Sequence, residues 1–394
     1  MGDFPQNRVV VCDNGTGLVK CGFAGDSFPR AVFPCLVGRP TFALNDPFST
    51  QQHLKEVYVG QEASAHNAQL ELSYPMRNGI VQSWEEMDLI WEHAFGPEQL
   101  AVDPSECRIL LTDPAMNPTA NRQKMLEVMF ETYGFSGANM QIQAVLTLYA
   151  QGLLTGLVVD SGDGVSHAVA VVDGYAFPHQ TKRLNVAGRH VTAHLLELLQ
   201  RRGYSLNRTA DLDLVRDIKE AHCYVAFDYA RELKLARETT HVMRSFSLPD
   251  GRVIRLGPER FMAPEVMFNP RLLDIEAPGV AEMAFNAIQD APIDNRRGLY
   301  EHIVISGGST MYPGMSTRMD KEMRALYLER VLKGDMAGLR KLKLHIADPP
   351  NRKHMVFLGG AVLADIMKDH TDFWITRQQY AEDPAGALRK CGIA

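Results

Sequence analysis

A chain of 394 residues exceeds the roughly 250–300 residues at which one hydrophobic core stops growing, so two lobes with separate cores are expected. Apolar residues at 45% and charged residues at 22% are ordinary for a folded protein and exclude long disordered tracts. A net charge of only −6 argues against the basic surface that nucleic acid or an anionic membrane selects, and the six scattered cysteines include no Cys-x-x-Cys pair for zinc or redox chemistry.

Residues 1–10 lack the basic start and apolar stretch of a secretory signal, so a reducing, cytoplasmic setting is expected. The first pattern is an apolar run at 9–12 that leads into Asp13-Asn14-Gly15-Thr16-Gly17 and a second apolar run at 18–25, a strand, a glycine turn and a strand. Residues 41–55 carry no pattern and are expected to form a surface loop. Helical spacing covers 121–132 and 143–151. At 156–174 the first design returns, with Asp160-Ser161-Gly162-Asp163-Gly164 between two apolar runs. A helix is predicted over 186–201, with Gly203 as its C-terminal cap. The run Ile303-Val304-Ile305 then meets Ser306-Gly307-Gly308-Ser309-Thr310, and helical spacing resumes over 318–333.

Two distant hairpins of one design imply an internally duplicated chain whose turns converge on one cleft. Glycine turns let backbone N–H groups approach phosphate oxygens without a Cβ in the way. Asp13 and Asp160, each ending a strand, would then face a Mg²⁺ through its water shell, and Lys20 would add positive charge near the phosphates. One such turn alone reads as a plain hairpin; two at matching strand ends favour the phosphate reading. Neither turn fits the P-loop or Gly-x-Gly-x-x-Gly patterns.

The stretches Asp13 to Lys20, Asp160 to His167 and Ser306 to Gly314 resemble the two phosphate motifs and the adenosine motif shared by actins, heat-shock chaperones and sugar kinases. Leu111-Thr112, Asn117-Pro118, Ile142-Gln143-Ala144-Val145-Leu146, Arg216-Asp217-Ile218-Lys219-Glu220 and Pro349-Pro350 narrow the resemblance to the actin family, over nearly the whole chain. Residues 326–335, an insertion that conventional actin lacks, together with 352–369, look like an actin-related protein.

The resemblance implies an α/β, actin-like ATPase fold of two pseudo-symmetric lobes around a nucleotide cleft. The small lobe would comprise residues 1–150 and 357–394, with its second subdomain at about 37–74; the large lobe would comprise 151–356, with its outer subdomain at about 187–275. By similarity, Gly15, Thr16, Gly17, Lys20, Gly162, Asp163, Gly164 and Val165 would line the phosphates of ATP or ADP, with Asp13 and Asp160 around the Mg²⁺ waters. Lys219 and Glu220 would meet ribose and base, Gly308, Ser309, Met311 and Tyr312 the adenosine, and Lys353 the far side of the adenine. Gln143 and His167 match the pair that aligns a water with the γ-phosphate; neither is a strong base, so hydrolysis would be slow and act as a timer. Tyr149, Gly152 and Leu154 match a groove where amphipathic helices of partners bind.

The implied function is filament nucleation at branches, with ATP as a conformational switch. The implied partners are a second actin-related protein, smaller complex subunits, actin filaments and nucleation-promoting factors. Asn185 and His190 stand where relatives usually carry aspartates, Asp113 replaces a usual glutamate, and residues 41–55 and 381–394 match poorly. These departures keep open a diverged scaffold that retains the ATP pocket without the branching role. A small-molecule kinase of the same superfamily is the other alternative, although no second substrate pocket or carboxylate base is evident for it.

Overall fold

The computed structural model describes the backbone of residues 8–41, 55–206, 209–248 and 251–391. Apart from its end residues Thr41 and Lys55, the loop expected at 41–55 lies outside them, as does the tail after Cys391. The chain divides into two compact units, one of Met1–Leu154, Val171–Pro178 and His354–Ala394, the other of Thr155–Ala170 and His179–Lys353.

The first unit is built on a six-stranded sheet in the order Ile375–Thr376, Gly137–Ile142, Cys107–Asp113, Arg8–Asn14, Leu18–Phe23 and Ala31–Pro34. Arg8–Asn14 runs antiparallel to Leu18–Phe23 and parallel to Cys107–Asp113. It is buried on both faces, so its residues read as a continuous apolar run. Val9 and Val11 pack against Phe357, Ala361 and Ala364 of the helix Met355–Met367, while Val10 and Cys12 join the cluster of Ile90 and Trp91 from Trp84–Phe95. The two-residue period of a strand thus distributes one sequence run between two helices.

The second unit repeats the design. Gly156–Ser161 lies beside Ser166–Val172 and runs parallel to Ile303–Ser306, which pairs in turn with Ile346–Ala347; Lys182–Leu184 flanks Ser166–Val172. The core gathers Leu157, Val159, Ala168 and Ala170 from the strands with Val191 and Leu195 from Gly188–Arg201 and Met315, Met319 and Met323 from Met315–Leu326.

Several boundaries differ from their sequence expectations, and packing explains why. The helix predicted over 318–333 begins at Met315, because Met315, Met319 and Met323 form one buried stripe, and its last turn, Tyr327–Val331, widens to a π-helix. The helix predicted over 186–201 begins at Gly188, since Val186 is buried and Ala187 is extended. The segment 121–132 is helical from Thr119 to Glu127 and then π-helical over Val128–Thr132. All six cysteines are buried thiols.

Candidate functional site

In the first unit the turn after Arg8–Asn14 closes by a bond from the Gly15 N–H to the Leu18 carbonyl at 3.2 Å. The register that sets Asp13 opposite Lys20 makes their ion pair, 2.9 Å, a direct product of the hairpin. Asp13 also accepts from the Thr112 hydroxyl at 2.7 Å and from the Gln143 amide at 3.4 Å, and Gln143 reaches Thr112 at 3.3 Å. Three elements therefore converge on one carboxylate that is 2% exposed. The Thr16 hydroxyl accepts from the Gly79 N–H at 2.9 Å, and the Asn14 side-chain Oδ1 accepts from the Trp91 indole N–H at 3.1 Å, which together hold the turn from behind.

The second unit's turn closes in the same way, from the Gly162 N–H to the Val165 carbonyl at 3.1 Å. Asp13, Gly15 and Leu18 thus have counterparts in Asp160, Gly162 and Val165. Ser309 donates to the Gly162 carbonyl at 2.6 Å, and Gly188 donates to the same carbonyl at 3.1 Å. Asp163 pairs with Arg189 at 3.0 Å. Lys219 is buried and donates to the Gly188 carbonyl and the Thr192 hydroxyl; burial pushes its ammonium below the usual lysine range. Tyr312 is buried, whereas Gly308, Met311, Glu220 and Lys353 are exposed, and the Glu220 and Lys353 side chains make no hydrogen bond or ion pair among the described residues.

His167 is 3% exposed, and burial, reinforced by the Arg183 charge, pushes its imidazole down to about 4. It is neutral at physiological pH. Its Nε2 has no hydrogen-bond partner among the described residues, nor do the Asn14 amide nitrogen and the Tyr312 hydroxyl. Buried polar atoms left in that state point to a ligand or water. In the second unit the orphaned His167 and Tyr312 atoms, the Gly162 turn and the open space beside Gly308 fit a nucleoside and its phosphates. In the first unit, taken by itself, the Gly15 turn fits phosphate oxygens and the Asp13 carboxylate fits a hydrated Mg²⁺.

Asn185 accepts from the Arg183 Nε at 3.0 Å, and His190 accepts from the Ala187 N–H at 3.2 Å, the position a capping carboxylate takes at a helix start. Asp113 accepts from Asn117 at 2.7 Å and from Arg122 at 2.8 Å.

Tyr149 ends the helix Gln143–Tyr149, Gly152 follows with φ 69°, and Leu154 is 59% exposed. The Leu154 carbonyl accepts from the Gly174 N–H at 2.8 Å, next to the exposed Tyr175. Sequence reasoning overlooked Thr112, Gly188, Thr192 and Arg189 as site residues. Only Thr112 carried a signal, its place at the end of an apolar run like that of Asp13.

Comparison with known proteins extends the match beyond the turns. The actin family model matches residues 4–391. Actin-related protein 2 of Oryza sativa subsp. japonica is 61% identical over 389 residues, 99% of this chain and 100% of the relative. Actin-related protein 2 of Arabidopsis thaliana is 59% identical over the same shares. With duplicated sheets, paired glycine turns and this full-length match, the chain belongs to the actin family.

Proposed function

We propose that this chain binds ATP with Mg²⁺ and takes the place of actin-related protein 2, pairing with actin-related protein 3 and smaller subunits in the complex that starts branched actin filaments. The observation that carries the reading is identity of 59–61% over the full length of the plant proteins of that name. Actin filaments and nucleation-promoting factors would be its other partners, and the actin cytoskeleton of the cytoplasm its location; no helix among the described residues is long and apolar enough to cross a membrane.

Each residue group has a chemical part. The amides around Gly15–Gly17 and Gly162–Val165 bind phosphate oxygens, with Lys20 adding charge. Asp13 and Asp160 orient the metal's waters; bound Mg²⁺ supplies charge neutralisation at the phosphates. Gln143 and the neutral His167 orient a water without deprotonating it strongly, which gives slow hydrolysis suited to a timer. Lys219, Glu220, Gly308, Ser309, Met311, Tyr312 and Lys353 receive the nucleoside. Tyr149, Gly152 and Leu154 offer an apolar lip for a partner's helix.

The decisive experiment is affinity capture of the tagged chain from its own cells, followed by a filament-branching assay on the captured material. Recovery of actin-related protein 3 with the small subunits, and branching with a nucleation-promoting factor, is expected. Capture without actin-related protein 3 sinks the branching role and leaves the diverged scaffold.

A further inference from the structure

Arg352 is buried, yet no carboxylate pairs with it among the described residues. Its guanidinium is instead caged by carbonyl groups. Nη2 donates to the Thr310 carbonyl at 3.0 Å, and Nε reaches the Thr310 carbonyl at 3.3 Å and hydroxyl at 3.2 Å. Nη1 donates to the carbonyls of Asp348 at 3.2 Å and Pro349 at 3.1 Å. The residue's own carbonyl accepts from the Gly307 N–H at 3.1 Å and the Ser306 hydroxyl at 3.4 Å. One side chain and its backbone therefore hold both ends of the turn Ser306–Thr310.

That turn is under close constraint on its other side as well. Gly307 has φ 91°, and a Cβ there would overlap the Ser161 carbonyl. Ser309 donates to the Gly162 carbonyl at 2.6 Å. The turn is thus pressed between the phosphate turn in front and Arg352 behind. With Asp348 acting on it only through space, a cation this buried is costly unless its donors find acceptors, and five contacts to three residues are a demanding arrangement. Lysine, with three donors on one nitrogen, cannot span it.

We infer that Arg352 is a positioning residue that holds the Gly307–Tyr312 turn in the shape that selects adenine, without touching nucleotide itself. The inference rests on the ATP reading above. Its consequence is a split between base and phosphate recognition. Loss of Arg352 loosens the turn that receives the nucleoside and leaves the amides at Gly15–Gly17 and Gly162–Val165 unchanged.

The test compares wild type with R352K and R352A in the complex-bound chain. Release of a fluorescent etheno-ATP is expected to be on the order of tenfold faster in R352K, the scale on which outer-layer supports of a binding group act. The ATP-over-GTP preference should fall by a similar factor, with competition by Mg²⁺-tripolyphosphate unaltered. In the nucleotide-free chain, amide exchange over 307–312 should accelerate in R352K. A purely structural role would lower the Tm and leave the base preference intact, and that result overturns the inference. So does a folded R352K with wild-type release and exchange. If R352A does not fold, R352K carries the comparison alone. Failure of wild type to bind etheno-ATP at all overturns the ATP reading instead, and the exchange measurement still judges Arg352's hold on the turn.

Discussion

Gly359 of the helix Met355–Met367 lies against the carbonyl oxygen of Leu146 so closely that a Cβ would overlap it. Leu146 is in the helix that begins with Gln143, so this close approach seats that helix against Met355–Met367. Backbone cannot yield as a side-chain tip can, and overpacking costs about 1–3 kcal/mol or more. Gly359→Ala is therefore expected to lower stability by about 3 kcal/mol in urea titration and to slow ATP hydrolysis in whatever folded fraction remains. A variant with wild-type midpoint and rate would refute the role of this contact.

Acid sensitivity should follow His167. Burial pushes its imidazole down to about 4 in the folded chain, against an ordinary 6.5, so unfolding takes up a proton between those values. The sign follows from the lowered folded pKa: the stability it contributes is full above about 6.5 and is lost as the pH falls towards about 4. The gap corresponds to on the order of 3 kcal/mol. Chemical denaturation across this range should show a steeper decline for wild type than for His167→Gln, which has nothing to protonate. Parallel curves would show that His167 is not the acid-sensitive group.

The pair of Asp113 and Arg122 is almost wholly inside the first unit, at 0% and 8% exposed. Burial raises the Asp113 carboxyl above the usual range, while Arg122 and Asn117 pull it down. Arg122→Met removes the charge partner and leaves a buried carboxylate, a change that costs about 3–5 kcal/mol. Without Arg122 the carboxyl moves further up, so the penalty should shrink as the pH falls and Asp113 protonates. Stability measured at neutral and acidic pH checks both magnitude and direction; an equal loss at both would contradict this account.

Asp13 gathers Lys20, Thr112 and Gln143. Asp13→Asn keeps the shape but removes the charge that would face a metal ion. ATP affinity in Mg²⁺ is expected to drop roughly 10–100-fold, with little change in excess chelator. An equal drop in both conditions, read by etheno-ATP titration, would separate Asp13 from any metal.

The sequence by itself determined the parts of this protein governed by local chemistry and spacing. The apolar runs at Val9–Val11 and Ile303–Ile305, the glycine turns after Asp13 and Asp160, and the kinship of the chain are all legible there, because a strand entering a phosphate-type turn needs those residue types at those positions. Tertiary structure decided what depends on distant segments meeting. Thr112 joins Asp13 because parallel strands set them side by side; Gly359 matters because of Leu146; and Arg352 is caged by Thr310 and Pro349. In the sequence Arg352 is one of two adjacent basic residues, and only the burial of its guanidinium among carbonyls distinguishes it from its exposed neighbour Lys353. The helix starts at Met315 and Gly188 were likewise set by which side chains the core accepts.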